Sequence, residues 1–161
     1  MKLISIIMGS QSDMETLQEA LNLLKEFKVS FDIKVLSAHR TPKELVRYVE
    51  VASAKGTKVF IAAAGGAAAL AGVVAAHTTL PVIGIPIETK SLKGLDSLLS
   101  TVQMPAGIPV ASMAIGKPGA KNAALFALEI LGAYDKKIHL KLITHKKEMR
   151  DKIKKMKHLG L

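Results

Sequence analysis

The sequence contains no cysteine and no tryptophan, and aromatic residues make up only 4% of its 161 residues. Without cysteine the chain can form neither disulfides nor cysteine-ligated metal sites, which suits a reducing compartment. Long hydrophobic segments are also scarce. The stretch from Val59 to Ala76 lacks charge, but Ala and Gly dominate it and Gly65-Gly66 divides it. Such a stretch is too weakly hydrophobic to span a bilayer well, so we expect no membrane segment.

The charge of the chain is one-sided, with 23 Lys and Arg against 13 Asp and Glu and a formal net charge of +10. Residues 135–161 hold ten of the basic and three of the acidic side chains, so this tail carries most of the excess positive charge.

We predict that the tail is a helix with apolar residues on one face, at spacings of three and four. These residues are Ile138, Leu142, Met149, Ile153 and Met156. A basic helix usually presents a solvated face, so we expect no nucleic-acid partner; RNA or an acidic partner is the alternative.

The rest of the chain alternates apolar runs with segments of helical periodicity. The predicted strands are residues 3–8, 31–36, 59–63, 80–86 and 109–115. The main predicted helices end near residues 27, 56, 76 and 133, and the last of them begins near residue 120. This alternation predicts one three-layer α/β domain with a central parallel sheet. We place that domain over residues 1–134 and treat 135–161 as a C-terminal helical extension, packed on the domain or on a neighbouring subunit. The N terminus looks like a strand rather than a signal peptide, and we expect a cytoplasmic protein.

Particular residues indicate where the first two helices start and end. Ser12 and Glu15 have the spacing of a capping box and predict the start of the first helix. Thr41 followed by Pro42 predicts the start of the second, because proline is favoured at the first helical position. Gly56 predicts its end, since glycine readily adopts the left-handed conformation that follows many helices.

Polar and small residues follow three of the predicted strands, and the carboxyl ends of parallel strands are where such folds bind ligands. The candidate binding residues are Ser10, Ser12 and Asp13 after the first strand, Ser37, His39 and Arg40 after the second, and Gly65, Gly66 and Ala67 after the third. The G-S-x-S-D sequence at a helix start offers amides and hydroxyls to a phosphate. The carboxylate of Asp13 would repel a phosphate and suits the hydroxyl groups of a sugar instead, so the segment indicates a sugar phosphate as ligand. The alternative is that the segment only caps the helix.

His39 and Arg40 are adjacent where the second predicted strand gives way to a helix. Arg40 carries a planar fork that matches phosphate oxygens, and a surface ion pair is its alternative. His39 can give and take protons near neutral pH, and a cap or a packed ring is the alternative. No pair of histidines has a convincing metal spacing, so we predict no metal.

Residues 62–76 are built almost entirely from small side chains, with 12 Ala or Gly among 15 residues. Small side chains allow the backbone to approach a flat ligand, or can line a small apolar pocket. Close packing in the core or between subunits is the other interpretation, and both can hold together.

Five motifs lie in order over residues 3–133: M-G-S-Q-S-D, S-A-H-R-T-P, A-G-G-A-A, L-D-S-L-L-S-T-V-Q-M-P-A-G-I-P-V and K-N-A-A-L-F-A. In these motifs the chain resembles the N5-carboxyaminoimidazole ribonucleotide mutase (PurE) family of purine biosynthesis. The resemblance implies flavodoxin-like subunits in a homo-octamer, a ribonucleotide substrate, and no cofactor or metal. It implies transfer of a carboxyl group from the exocyclic nitrogen of an aminoimidazole ribonucleotide to ring carbon C4, with CO2 retained in a closed pocket.

The same resemblance implies roles for individual residues. His39 matches the histidine that protonates the departing nitrogen and later removes the C4 proton. The matched substrate-binding positions and their neighbouring hydroxyl donors are Ser10, Asp13, Arg40, Ser12 and Ser37. The chain departs from the common A-G-G-A-A-H-L-P-G pattern at Ala69 and Ala71, where many members have histidine and proline. No role of that second histidine carries over.

Other functions are compatible with these residues. A direct carboxylase would add free CO2 to aminoimidazole ribonucleotide, and a related carboxylase would act on a nicotinate nucleotide. From another class, the chain could be a nucleotide- or RNA-binding module that uses residues 135–161. A homologue that folds and assembles without activity is the last alternative.

Overall fold

The structure, a computed structural model, describes residues 2–156. Its strands are β1 (Ile4–Met8), β2 (Phe31–Val35), β3 (Val59–Ala64), β4 (Val82–Pro86) and β5 (Ala111–Ser112). Its helices are α1 (Met14–Glu26), α2 (Pro42–Ala54), α3 (Leu70–Ala76), α4 (Leu95–Val102), α5 (Lys117–Gly132) and α6 (Lys136–Met156). A short 3-10 turn, Gln11–Asp13, precedes α1. The chain divides into two compact units, one ending at Ala127 and the other beginning at Leu128.

The five strands form one parallel sheet in the order β2-β1-β3-β4-β5. This is the strand order of flavodoxin-like folds, and it confirms the predicted α/β architecture. Right-handed crossovers take the chain from β1 outward to β2, then back past β1 to β3. They place α1 on one face of the sheet and α2 and α3 on the other. The direction of winding reverses between β1 and β3, and ligands bind at such a reversal.

The central strands β1, β3 and β4 are buried on both faces, which explains their continuous apolar runs. On one face, Ile7 and Phe60 pack in a cluster with Leu45 of α2 and Val74 of α3. The opposite face carries a row of fully buried residues across the three strands: Ile6, Ile61 and Ile83. Burial of these aliphatic side chains is the main stabilising contribution to the first unit.

The capping box before α1 is formed by different residues from those predicted. The amide of Ser10 donates to Asp13 Oδ2 at 3.1 Å, and the amide of Ser12 donates to Ser10 Oγ at 3.3 Å. The prediction that Ser12 and Glu15 form the box was therefore wrong. β1 ends at Met8 as predicted, but a 3-10 turn comes before α1, so the first free amides belong to that turn rather than to α1.

Other boundaries agree with the sequence, with two exceptions. Gly56 follows α2 with a φ of +99°, as predicted for a residue just past a helix end. β5 covers two residues rather than residues 109–115, and at the start of the predicted strand Pro109 has no amide to donate to the ladder. α5 starts at Lys117 rather than near residue 120, and its first turn tolerates Pro118.

The basic tail is helical as predicted over α6, whereas residues 157–161 lie outside the described residues. The apolar residues of α6 differ in exposure. Ile138 and Leu142 are each 7% exposed, whereas Met149, Ile153 and Met156 are about half exposed. The apolar face is therefore buried only along the first part of α6. None of the helices within residues 2–156 combines the length and apolar character that a membrane crossing requires.

Gly84 of β4 lies where the sheet is tightly covered. A methyl group added there would collide with Thr101 and come within 3.1 Å of Val110 Cγ1. We expect Gly84→Ala to lower the free energy of unfolding by about 1–3 kcal/mol, because overpacking forces neighbouring groups to shift. Denaturant unfolding measures this change. Gly72→Ala is the control, since its added methyl meets only the flexible side chain of Met104 and alanine favours the helix. Equal losses in both variants would contradict the expectation.

Candidate active site

The carboxyl ends of β1, β2 and β3 bring three loops to one edge of the sheet. Met8, the last residue of β1, pairs with Val35 of β2 and Ala63 of β3. A pocket of about 370 Å³ opens where the three loops meet, a volume suited to a small molecule. Its lining residues are Gly9, Ser10, Asp13, Ser37, Ala38, His39, Arg40, Ala64, Gly65, Ala67, Ala69 and Leu70. The pocket thus lies at the reversal of the strand order.

Most of the residues predicted to bind a ligand line this pocket. They are Ser10, Asp13, Ser37, His39, Arg40, Gly65 and Ala67. Ser12 and Gly66 do not line it. The hydroxyl of Ser12 instead donates to Ser10 Oγ at 2.8 Å, and Gly66 joins two lining residues. The geometry places the predicted residues together, and their roles stay predictions.

Asp13 closes the loop that follows β1. Its Oδ2 accepts the amide of Ser10 at 3.1 Å, and its Oδ1 accepts the hydroxyl of Ser12 at 3.4 Å. Only 7% of Asp13 is exposed, and this burial raises the pKa of its carboxyl above the ordinary value of 3.8. The hydrogen bonds from Ser10 and Ser12 oppose the rise. The carboxylate is a fixed acceptor at the pocket wall, suited to the hydroxyl groups of a ligand.

Arg40 reaches from the second loop to the first. Its Nη2 donates to the carbonyl oxygen of Gly9 at 3.0 Å, and its backbone amide donates to Ser37 Oγ at 3.1 Å. Within residues 2–156 no carboxylate lies within ion-pair distance of Arg40, so the predicted alternative of a surface ion pair is not what the structure has. Neutral oxygens hold the guanidinium in place, and its charge is available to an anion.

Thr41 fixes the second loop in a way that the sequence did not indicate. It precedes α2 as predicted, but its hydroxyl makes no capping bond to the helix. Thr41 Oγ1 instead accepts the amide of Ser37 at 2.9 Å and lies 3.2 Å from the carbonyl oxygen of Ser37, to which it donates. The loop between Ser37 and Thr41 is thereby closed on itself, with His39 at its tip.

His39 lines the pocket and is otherwise exposed. Its ring makes no hydrogen bond to any residue in the described part of the chain, so it is neither a cap nor a packed ring. Both ring nitrogens are accessible to a bound ligand. A histidine held only by its backbone, beside a cation and a buried carboxylate, is suited to moving protons on that ligand.

The third loop is held by α4, which the sequence analysis did not include in the site. Ser97 Oγ donates to the carbonyl oxygen of Ile87 at 2.7 Å and accepts the amide of Gly66 at 2.9 Å. The hydroxyl of Ser100 donates to the carbonyl oxygen of Asp96 at 2.8 Å, and its Oγ also lies 3.3 Å from the carbonyl oxygen of Gly66. A spacing of three residues puts Ser97 and Ser100 on the same side of a short helix. This spacing was the only feature of the sequence that could have linked α4 to the site.

Ala69 and Leu70, at the start of α3, form the apolar side of the pocket. Ala69 occupies the position where the resembled family often has histidine, and its methyl group can neither donate nor accept a proton. Among the lining residues His39 is therefore the single imidazole.

In the portion that the structure covers, no group of three or more His, Asp or Glu side chains is arranged to hold a metal ion.

Comparison with known proteins places most of the chain in one family. The family model described as AIR carboxylase matches residues 3–152. The N5-carboxyaminoimidazole ribonucleotide mutase of Bacillus subtilis is 56% identical over 140 residues, which are 87% of this chain and 86% of that protein. The mutase of the same name from Pyrococcus horikoshii is 51% identical over 162 residues, 98% of this chain and 90% of that protein. The crystal structure of Treponema denticola PurE has a TM-score of 0.89 and 31% identity, covering 99% of this chain and 100% of that one.

Asp13→Asn removes a buried negative charge and keeps the shape of the side chain. Because the pKa of Asp13 is raised, the folded protein binds its proton more tightly than the unfolded chain does. Above that raised pKa the charged carboxyl therefore destabilises the fold, whereas below 3.8 it is protonated in both states. We expect the Asn variant to be more stable near neutral pH, with the difference vanishing as the pH falls through this range. Thermal unfolding across pH tests this, and a less stable variant at neutral pH would refute it.

Proposed function

This chain belongs to the AIR carboxylase family, and we propose from that premise that it is an N5-carboxyaminoimidazole ribonucleotide mutase of purine biosynthesis. It moves a carboxyl group from the exocyclic nitrogen to C4 of the imidazole, which makes it an isomerase. Relatives with this name match the chain over most of their length. The observation that supports the assignment within the molecule is one pocket that combines His39, Arg40 and Asp13 with an apolar wall.

The phosphate and ribose of the substrate are proposed to bind across the first two loops. Arg40, held by the Gly9 carbonyl and Ser37, offers its free charge to the phosphate. Ser10 adds a hydroxyl donor beside it, and Ser12, outside the pocket lining, supports Ser10 through its hydrogen bond to Ser10 Oγ. Asp13 accepts from the ribose hydroxyls, because a carboxylate would repel the phosphate. This division of charges orients the nucleotide with its base toward His39.

His39 is proposed to move both protons of the reaction. The bond between the exocyclic nitrogen and the carboxyl carbon breaks, and His39 supplies the proton that the nitrogen gains. The carboxyl carbon leaves as CO2, and C4 then forms the new bond to it. C4 loses its proton to the now neutral imidazole, which restores the starting state without any cofactor. One group acts as acid and then as base, which an imidazole can do because one ring nitrogen can donate a proton and later take one back.

The apolar wall is proposed to confine CO2 between the two steps. The backbone of Gly65 and Ala67 and the side chains of Ala69 and Leu70 line that side of the pocket. A small neutral molecule has no charge by which to be held, so only the shape of the wall can keep it beside C4. Proximity of this kind can raise an effective concentration by many orders of magnitude.

We further propose a cytoplasmic homo-octamer, as the resemblance implies. Residues 1–134 would form the α/β domain, and residues 135–161 would pack on it or on a neighbouring subunit. Exposed apolar residues recur at spacings of three and four along α4 and the loop before it: Leu92, Leu95, Leu99 and Val102, each between 48% and 57% exposed. Such a row on one chain is typical of a surface that another protein covers. The absence of cysteine suits a reducing compartment.

His39→Asn tests the proposed chemistry. We expect kcat for conversion of N5-carboxyaminoimidazole ribonucleotide to fall by about 10²–10⁴-fold, the usual contribution of a positioned acid–base group, with KM changed much less. A spectrophotometric assay of the 4-carboxylated product measures both constants. His77→Asn is the matched control, since His77 is exposed at the end of α3 and lies outside the pocket.

The same assay separates the alternatives. Aminoimidazole ribonucleotide with bicarbonate is supplied to a second sample of the unmodified protein. Conversion of that substrate alone would make the protein a direct carboxylase. No conversion of either substrate would reject an enzymatic function and favour a binding role.

The octamer has its own measurement. Light scattering on the purified protein is expected to give eight times the 17.2 kDa of a single chain. Leu95→Lys together with Leu99→Lys places two charges on the exposed row and should reduce that mass. A monomeric mass for the unmodified protein would reject the octamer without affecting the assignment of His39.

A further inference from the structure

We propose that Ser97 is a positioning residue for carboxyl transfer: acting through Gly66, it holds the backbone wall that keeps CO2 beside the ring carbon. This inference rests on the proposed mutase function. Ser97 lies in α4, it is fully buried, and it does not line the pocket. Its effect on the reaction must therefore pass through the loop to which it is bonded.

The hydroxyl of Ser97 bridges two separate parts of the main chain. It donates to the carbonyl oxygen of Ile87, just after β4, and accepts the amide of Gly66, two residues after β3. The amide of Ile87 in turn donates to the carbonyl oxygen of Ala64, the last residue of β3, at 2.9 Å. Ser97 thus completes a chain of hydrogen bonds that ties the third loop to the ends of two central strands.

Gly66 is the point of the loop that side chains hold least. Gly66 has a φ of +67°, and a side chain added there would meet nothing within 4 Å. No side chain can therefore fix Gly66 by packing, and glycine is the residue with the greatest backbone freedom. Its amide is held by Ser97 and its carbonyl oxygen by the amide of Ala68 at 2.8 Å, with Ser100 Oγ 3.3 Å from the same oxygen. The bond to Ser97 is the one that reaches the buried core.

The residues on either side of Gly66 are the ones that face the ligand. Gly65 and Ala67 both line the pocket, and the side chains there are too small to compensate for a displaced backbone. The nucleotide is proposed to bind through Arg40 and Asp13, which lie on the other loops. Loss of Ser97 should therefore loosen the confinement of CO2 much more than it weakens the binding of substrate.

The experiment follows the fate of the transferred carbon. N5-carboxyaminoimidazole ribonucleotide labelled with carbon-13 in its carboxyl group is converted in unlabelled bicarbonate buffer, and mass spectrometry measures the label in the product. The amount of aminoimidazole ribonucleotide released for each molecule of product is measured in the same samples. The uncatalysed decarboxylation of the substrate is subtracted from it. We expect Ser97→Ala to retain less label, to release more of the decarboxylated nucleotide and to lower kcat by up to about 100-fold, the effect of an ångström-scale misplacement. KM should change much less.

Thr101→Val is the matched control. Thr101 lies one turn further along α4, is 2% exposed, and donates to the carbonyl oxygen of Ser97 at 2.7 Å. The variant loses one buried hydroxyl from the same helix without touching Gly66. We expect its label retention to equal that of the unmodified protein. An equal loss of label in both variants would overturn the proposal, because general weakening of α4 would then explain the effect.

The outcomes separate this inference from the function on which it rests. No conversion by the unmodified protein would overturn the mutase assignment itself. Normal conversion with equal label retention in Ser97→Ala would overturn the role of Ser97 alone. If Ser97→Ala does not fold, Ser97→Cys takes its place, because a thiol has a similar shape and hydrogen-bonds weakly. Reduced retention in that variant supports the role of Ser97, and full retention overturns it.

Discussion

The position of β1 between β2 and β3 is the constraint on which the site depends. A right-handed crossover leads from β1 to one side of the sheet, and the next returns past β1 to the other side. The loops after β1 and β3 therefore diverge and leave the space above these two strand ends open. The buried rows of aliphatic side chains stabilise that order. The pocket is a consequence of how the sheet is wound, before any polar residue is considered.

The loops around this opening illustrate a conflict between space and rigidity. Small residues leave room for a ligand, but they have few side-chain atoms with which to pack. Each loop is instead fixed by a side-chain oxygen bonded to the main chain: Asp13 in the first, Thr41 in the second and Ser97 in the third. In the third loop the bonded hydroxyl is fully buried, so water cannot replace it. The Gly-rich wall is consequently ordered by a neighbouring helix rather than by its own sequence.

The sequence predicted the features of this molecule that have a local residue pattern, and it missed those that depend on contacts between distant residues. Continuous apolar runs identified β1, β3 and β4, because strands buried on both faces have no other pattern. Residues after those strands were predicted to share a site, and the parallel sheet brings them together. The capping box was misplaced because Ser and acidic residues recur at two overlapping spacings. Ser97 was not predicted at all, since its partners are main-chain atoms of Ile87 and Gly66, 10 and 31 residues away.

The proposed reaction requires more enclosure than one chain supplies. His39 and Arg40 are both exposed, so the side of the pocket that they form opens to solvent. CO2 generated there would escape unless the bound nucleotide or another subunit covered that side. The phosphate and ribose can fill the region beside Arg40, and an assembled oligomer can cover the rim. In the proposed octamer, a neighbouring subunit that covered this rim would link assembly to the retention of CO2, because closing the pocket keeps the intermediate beside C4 and excludes water.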